Sequence, residues 1–123
     1  MSDERITVYE KTTCSTCRDL VRLLNENGVE FERVDYMIDP LPKTKLQELL
    51  AKMNMRPREL LRTNEAAYRD LGLASDAVTD EQILDAMVSH PELVQRPIVE
   101  KGERAVLARP VERVRPLFQT TTG

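Results

Sequence analysis

Ile6-Thr7-Val8-Tyr9-Glu10-Lys11-Thr12-Thr13-Cys14-Ser15-Thr16-Cys17-Arg18 joins two kinds of hydrophobic pattern. Ile6 to Tyr9 alternates as a strand does. From Cys17 onward, Leu20, Val21 and Leu24 recur at helix spacing. The two cysteines therefore fall at a strand-to-helix turn, with Cys14 just ahead of the first helical turn. A helix N-terminus offers unpaired backbone N–H groups and the positive end of the helix dipole. Both favour a thiolate over a thiol. A free thiol, with a pKa of about 8.5, is mostly protonated near neutral pH. The same donors favour an oxyanion beside the sulfur.

The chain has 123 residues, enough for one domain with one core. Hydrophobic residues make up 41% and charged residues 32%, an ordinary globular balance. No apolar run approaches the roughly 20 residues a membrane span needs. Met1-Ser2-Asp3-Glu4-Arg5 lacks the apolar stretch of a signal peptide, so a cytoplasmic location is expected. In that compartment a CxxC pair reads as redox chemistry rather than a structural staple. The net charge of −3 argues against general nucleic-acid binding. Among the basic residues, 13 are Arg and 5 are Lys. Arg is the side chain suited to oxyanions, although most of these are expected to be solvated surface residues.

Outward from the cysteines, the expected first strand is Arg5 to Tyr9 and the first helix Ser15 to Asn27, stopped by Gly28. Phe31 to Tyr36 reads as a second strand, with Val34 and Tyr36 on one face. Strand–helix–strand at this spacing implies parallel pairing. After the connector Asp39-Pro40-Leu41-Pro42, residues Leu46, Leu49, Leu50 and Met53 mark a second helix that Asn54 ends. Pro57 opens a short helix carrying Leu60, Leu61 and Arg62. Asn64 is placed to cap a further turn or two through Tyr68 and Leu71, closed by Gly72. Thr79-Asp80-Glu81-Gln82 is a capping box for a helix with Ile83, Leu84, Met87 and Val88, which must stop before Pro91. Pro97 to Glu100, a turn at Lys101-Gly102, and Arg104 to Ala108 form a hairpin. Val111, Val114 and Phe118 suggest a closing helix from Pro110. Pro116 requires that helix to be short or kinked. The tail 119–123 is expected to be disordered.

The order β-α-β, helical insertion, β-β-α is the thioredoxin-like α/β arrangement, with a four-stranded mixed sheet and an insertion over residues 41–95, in a single domain spanning 1–123. Over about Arg5 to Phe118 the chain closely resembles the glutaredoxin-coupled, thioredoxin-like arsenate reductases, the group that also includes the Spx regulators. The segments that carry this are Cys14 after the first strand, Glu59-Leu60-Leu61-Arg62-Thr63-Asn64, Asp70-Leu71-Gly72-Leu73, His90 to Val99 with its His-Pro-Glu-Leu-Val-Gln-Arg-Pro-Ile-Val run, and Leu107-Ala108-Arg109-Pro110. The resemblance implies that Cys14 attacks arsenate, that Arg62, Arg96 and Arg109 hold the oxyanion, and that Pro97 is a cis-proline facing the site. It also implies glutathione as co-substrate and glutaredoxin, or alternatively thioredoxin, as protein partner. No bound cofactor or metal is expected. His90 reads as a helix-end residue rather than a base.

Two departures from the group stand out. Reductases of the group carry a histidine where this chain has Glu10. A carboxylate aimed at the sulfur there would oppose thiolate formation, and the expectation for Glu10 is a solvated residue. The second departure is Cys17, which many of the reductases lack and which Spx proteins and thiol–disulfide oxidoreductases have. Cys17 reads either as a small apolar residue on the inner face of the helix or as a thiol that resolves an adduct at Cys14. Arsenate reduction is the first reading. An Spx-like redox switch that binds RNA polymerase, or a general thiol–disulfide oxidoreductase, is the alternative.

Overall fold

The computed structural model describes residues 5–11 and 14–118, and the expectation for the tail lies outside them. The chain divides into two compact units, Met1–Tyr36 with Arg96–Gly123, and Met37–Gln95. The second encloses the expected insertion.

The first unit is built on a four-stranded sheet in the order β2-β1-β3-β4. Its strands are β1 (Ile6–Glu10), β2 (Phe31–Asp35), β3 (Ile98–Lys101) and β4 (Arg104–Leu107). β1 and β2 run parallel, with Ile6 opposite Phe31 and Glu10 opposite Asp35. β1 and β3 are antiparallel, and so are β3 and β4. The mixed sheet follows from the sequence. A helix between β1 and β2 carries the chain back to start in parallel, while Gly102 at φ 59° closes a tight hairpin.

Helix α1 (Ser15–Glu26) packs on the sheet. Its Leu20 and Leu24 form one core with Ile6, Val8, Val99, Ala108, Val114 and Leu117. Strand alternation puts Ile6, Val8 and Glu10 on this face and Thr7 and Tyr9 on the other. On that other face Tyr9 donates a 2.7 Å hydrogen bond to Glu100 Oε1. Gly28, at φ 67°, ends α1 in the left-handed conformation that glycine adopts without penalty.

The closing segment departs from a helix starting at Pro110. A 3-10 turn, Val111–Val114, comes first, and α6 (Arg115–Phe118) follows. This accommodates Pro116, which falls in the first turn of α6. Its missing N–H is not needed there. Both Arg96-Pro97 and Arg109-Pro110 are cis. The first matches the expectation for Pro97, and the second was not anticipated.

The second unit contains α2 (Lys43–Met53), α3 (Pro57–Leu60), α4 (Ala66–Asp70), α5 (Asp80–Ser89) and a 3-10 turn, Pro91–Leu93. Asn54 stops α2 in the left-handed region, at φ 56°. Thr79 and Gln82 form the capping box of α5 through reciprocal bonds of 3.1 and 2.8 Å. Lys43 pairs with Glu81 and with Asp85, the latter at 2.9 Å. Arg58 ties down residues 73–78 by donating to the carbonyls of Leu73, Ser75 and Val78. Two boundaries differ from expectation. α3 ends at Leu60, because Leu61 is extended and bridges Val94. Glu65, not Asn64, is the residue ahead of α4. In both places a pairing within the unit or a local turn outcompeted the hydrophobic periodicity.

Leu24 is fully buried and Ile38 is 79% exposed. Leu24→Ala should lower the urea-unfolding free energy by about 2–5 kcal/mol. Ile38→Ala should change it by no more than about 0.5 kcal/mol.

Candidate active site

β1 ends at Glu10, and the turn that follows is closed by the amide of Cys14 donating to the Lys11 carbonyl at 2.9 Å. Cys14 is then the N-cap of α1, in extended conformation, and its carbonyl accepts from Arg18 N–H at 3.1 Å. No side chain makes a short capping hydrogen bond at this terminus. The backbone N–H groups of Cys17 and Thr16 instead present their positive ends to the Cys14 sulfur.

The two sulfurs are driven apart in acidity. Partial burial alone would raise the Cys14 pKa. The Cys17 amide, the Cys17 thiol, the Thr16 amide and the Arg96 guanidinium outweigh it, so the net shift is downward. Cys17 is completely buried on the inner face of α1. Burial first, then its hydrogen bond to the anionic Cys14 sulfur, the charge on that sulfur and the charge on Glu10 push it up to about 12, against a lowering contribution from the Lys11 amide. Cys14 is thus the more acidic sulfur, and Cys17 the thiol that donates to it.

Arg96 is 6% exposed. Burial disfavours its charge, but hydrogen bonds and charge interactions with Tyr36 and Cys14 prevail and raise its pKa. Its Nε and Nη1 have no hydrogen-bond partner among the described residues. Arg109 lies at the far side of the hairpin, and its Nη1 donates to the Arg96 carbonyl at 2.9 Å. The first unit therefore gathers Cys14, Cys17, Arg96 and Arg109, and Tyr36 joins them. Tyr36 was read only as a strand residue. Its strand-end position beside the helix gave no sign of the contact with Arg96.

Arg62 belongs to the second unit. Its amide donates to the Leu93 carbonyl at 2.7 Å, and its Nε meets Glu65 Oε2 at 3.2 Å. Arg18 is exposed. His90 ends α5 and lies 3.7 Å from Glu92. Among the described residues, no three His, Cys, Asp or Glu side chains cluster in a way that would hold a metal ion. No helix among them is long and apolar enough to cross a membrane.

Glu10 corrects the sequence reading. It is not solvated but 1% exposed. Arg33 of β2 donates to its Oε2, while Oε1 is buried without a partner among the described residues. Its charge bears on Cys17. A single charged residue in a strand gives no sign of burial, because its partner Arg33 sits on another strand.

A thioredoxin-like sheet, an acidified thiol at the start of its first helix and a buried guanidinium beside that sulfur define a redox-thiol protein. The chain belongs to the ArsC family, whose pattern matches residues 9–117. It is 38% identical over 112 residues to the uncharacterized protein YfgD of Escherichia coli K12, covering 90% of this chain and 94% of that one. It is also 38% identical over 114 residues to an Escherichia coli arsenate reductase, covering 93% and 81%. The solved structure of an arsenate reductase from Vibrio cholerae superposes with a TM-score of 0.90 at 26% identity, over 95% of this chain and all of that one.

Cys14 should react with iodoacetamide with an apparent pKa below that of a free thiol, and Cys17 should stay unmodified in the folded protein at pH 8. Rates measured by mass spectrometry across pH check this. Arg96→Met should move the Cys14 profile upward, because the cation that favours the thiolate is gone.

Proposed function

We propose that this protein is an oxidoreductase that reduces arsenate to arsenite, with Cys14 as nucleophile and Arg96 as the principal oxyanion ligand. The observation that carries the reading is the buried guanidinium of Arg96, beside the Cys14 sulfur, with two N–H-bearing nitrogens that have no acceptor among the described residues. Leaving such donors unsatisfied is costly, so the arrangement is built for an anion that enters the site. Disulfide exchange alone needs no such donors. The relatives named arsenate reductase support the same substrate.

Arsenate carries between one and two negative charges near neutral pH. A thiolate approaches it only when that charge is offset, and a guanidinium does so while fixing orientation through parallel N–H donors. Arg109 and Arg62 complete the oxyanion set in this reading. Cys14 displaces an arsenate oxygen to give a covalent thiol–arsenate adduct. A second thiol then attacks the Cys14 sulfur. The sulfur–arsenic electron pair stays with arsenic, which leaves as arsenite, and a disulfide forms at Cys14. Glutathione is the proposed second thiol, with glutaredoxin clearing the mixed disulfide. Cys17, hydrogen-bonded to Cys14, gives an internal route whose product is a Cys14–Cys17 disulfide, the kind thioredoxin reduces.

Arsenite formation with glutathione and glutaredoxin, compared with thioredoxin and its reductase, tests the reading. Cys14→Ser should abolish turnover with either system, and Cys17→Ser should retain the glutathione-dependent part. Arg96→Ala should lower kcat/KM by an amount corresponding to about 1.5–3 kcal/mol, the range for hydrogen bonds to charged groups. Arg96→Lys should recover little, because the planar fork is lost. No arsenite from the wild type with either system sinks the proposal.

A further inference from the structure

Tyr36 is a buried residue to which the proposed reduction assigns no role. It stands one residue beyond β2, where its amide still donates to the Glu10 carbonyl of β1 at 3.2 Å. Arg96 stands two residues ahead of β3, on the other side of β1. β2 runs parallel to β1 and β3 antiparallel, with Asp35 opposite Glu10 and Ile98 opposite Tyr9. Tyr36 and Arg96 therefore lie at one end of the sheet, the end from which β1 leads to Cys14. Two strand spacings, about 10 Å, separate their backbones, and the two long side chains close that gap. The hydroxyl and the guanidinium are hydrogen-bonded. Tyr36 is 1% exposed and Arg96 6%.

A phenylalanine would fill the same space without burying a hydroxyl. A buried tyrosine takes a partner for its hydroxyl in any protein; here the partner is the cation beside the reactive sulfur. That cation needs holding. An arginine side chain is long and flexible, and its planar fork meets an oxyanion well only in a fixed orientation. The Arg96 main chain is already tied, since Arg109 Nη1 donates to its carbonyl at 2.9 Å. Nε and Nη1 of its guanidinium have no acceptor among the described residues. We propose that Tyr36 is a positioning residue for the Cys14 chemistry, its hydroxyl oxygen accepting from the Arg96 guanidinium and turning Nε and Nη1 toward the Cys14 sulfur. The inference rests on the reading of Arg96 as the cation that serves Cys14, but not on arsenate. A fork ordered on folding spares the cost of ordering it when an anion binds.

Other charged and titratable groups bear on the same place. Cys14 and Cys17 come from the start of α1, Glu10 from β1, and Arg33 and Asp35 from β2. Glu10 is taken up by Arg33, and Arg109 reaches the Arg96 carbonyl. The partners of the Arg96 guanidinium are the Tyr36 hydroxyl and the Cys14 sulfur. Of these two, the hydroxyl is the constant one. The sulfur loses its charge whenever it carries an adduct, and the hydroxyl still holds the fork in place.

The test uses the full chain and iodoacetamide, with no arsenate, and reads the alkylation rate of Cys14 at pH 7 by mass spectrometry. Tyr36→Phe removes one oxygen and keeps the ring. It should slow alkylation by about tenfold, as a thiol pKa raised by about one requires. Arg96→Met should slow it at least as much. In the double variant, Tyr36→Phe should add nothing to Arg96→Met, because a residue that acts through another has no effect once the other is gone. A merely loosened core would slow alkylation in both backgrounds alike. Equal slowing in both, or an unchanged or faster rate in Tyr36→Phe alone, therefore overturns the proposal. Should Tyr36→Phe fail to fold, nuclear magnetic resonance of the wild type decides, with Arg96→Met assigning the signals. An Overhauser cross-peak between the Arg96 guanidinium and the Tyr36 ring supports the positioning role, and its absence overturns it. Absence of arsenate turnover would sink the reduction and leave all these outcomes readable, so the two proposals fail separately.

Discussion

The packing of α1 on the sheet is the constraint from which the site follows. Leu20 and Leu24 of the helix meet Ile6 and Val8 of β1 in a fully closed core. The helix cannot rotate or slide without exposing these side chains, at about 1.5–3 kcal/mol for each buried aliphatic residue. With the stripe fixed, the helical period puts Cys17 inside the interface and Cys14 at its rim. One CxxC motif thereby yields two sulfurs with opposite properties. Burial prevails at Cys17, whereas at Cys14 burial is outweighed by the Cys17 amide and thiol, the Thr16 amide and Arg96 taken together. No residue other than those that build the fold is needed to create this difference.

The hairpin completes the arrangement from the far end of the chain. β3 pairs with β1, and its lead-in residue Arg96 is thereby brought beside a cysteine more than half the chain away in sequence. Arg109, where β4 hands over to the closing turns, braces the Arg96 backbone through its carbonyl. This ties the backbone that carries the buried guanidinium to the residue that ends the hairpin. Tyr36, at the end of the β2 segment, contacts the same guanidinium. Residues from three separated parts of the sequence thus surround one thiolate because the strand order is β2-β1-β3-β4.

Charge within this unit is buried in an organised way. Arg96 has the thiolate and Tyr36, Glu10 has Arg33, and Glu100 has Tyr9. Each buried charged or polar group has at least one specific partner, as its desolvation demands. Among the described residues, the buried atoms without a partner, two nitrogens of Arg96 and one oxygen of Glu10, belong to groups that bear on Cys14 and Cys17 respectively.

The sequence by itself determined the order of elements and the place of the cysteines. Local patterns carry that information: alternation in β1, the helical stripe of α1, glycine at the end of the helix, the Thr79 capping box, and the turn at Gly102. Each depends on residues close together in the chain. The cysteine at the start of α1 could likewise be read as the reactive one from helix-end electrostatics alone. Tertiary structure decided what depends on partners from distant strands. It ended α3 at Leu60 by pairing Leu61 with Val94. It split the closing helix so that Pro116 lies in a first turn. It set Arg96 against Cys14 and Tyr36, and it paired Arg62 with Glu65. Above all it buried Glu10. Whether a carboxylate in a strand is solvated or enclosed depends on the cation opposite and on the helix laid over it, and neither is encoded in the residues beside it.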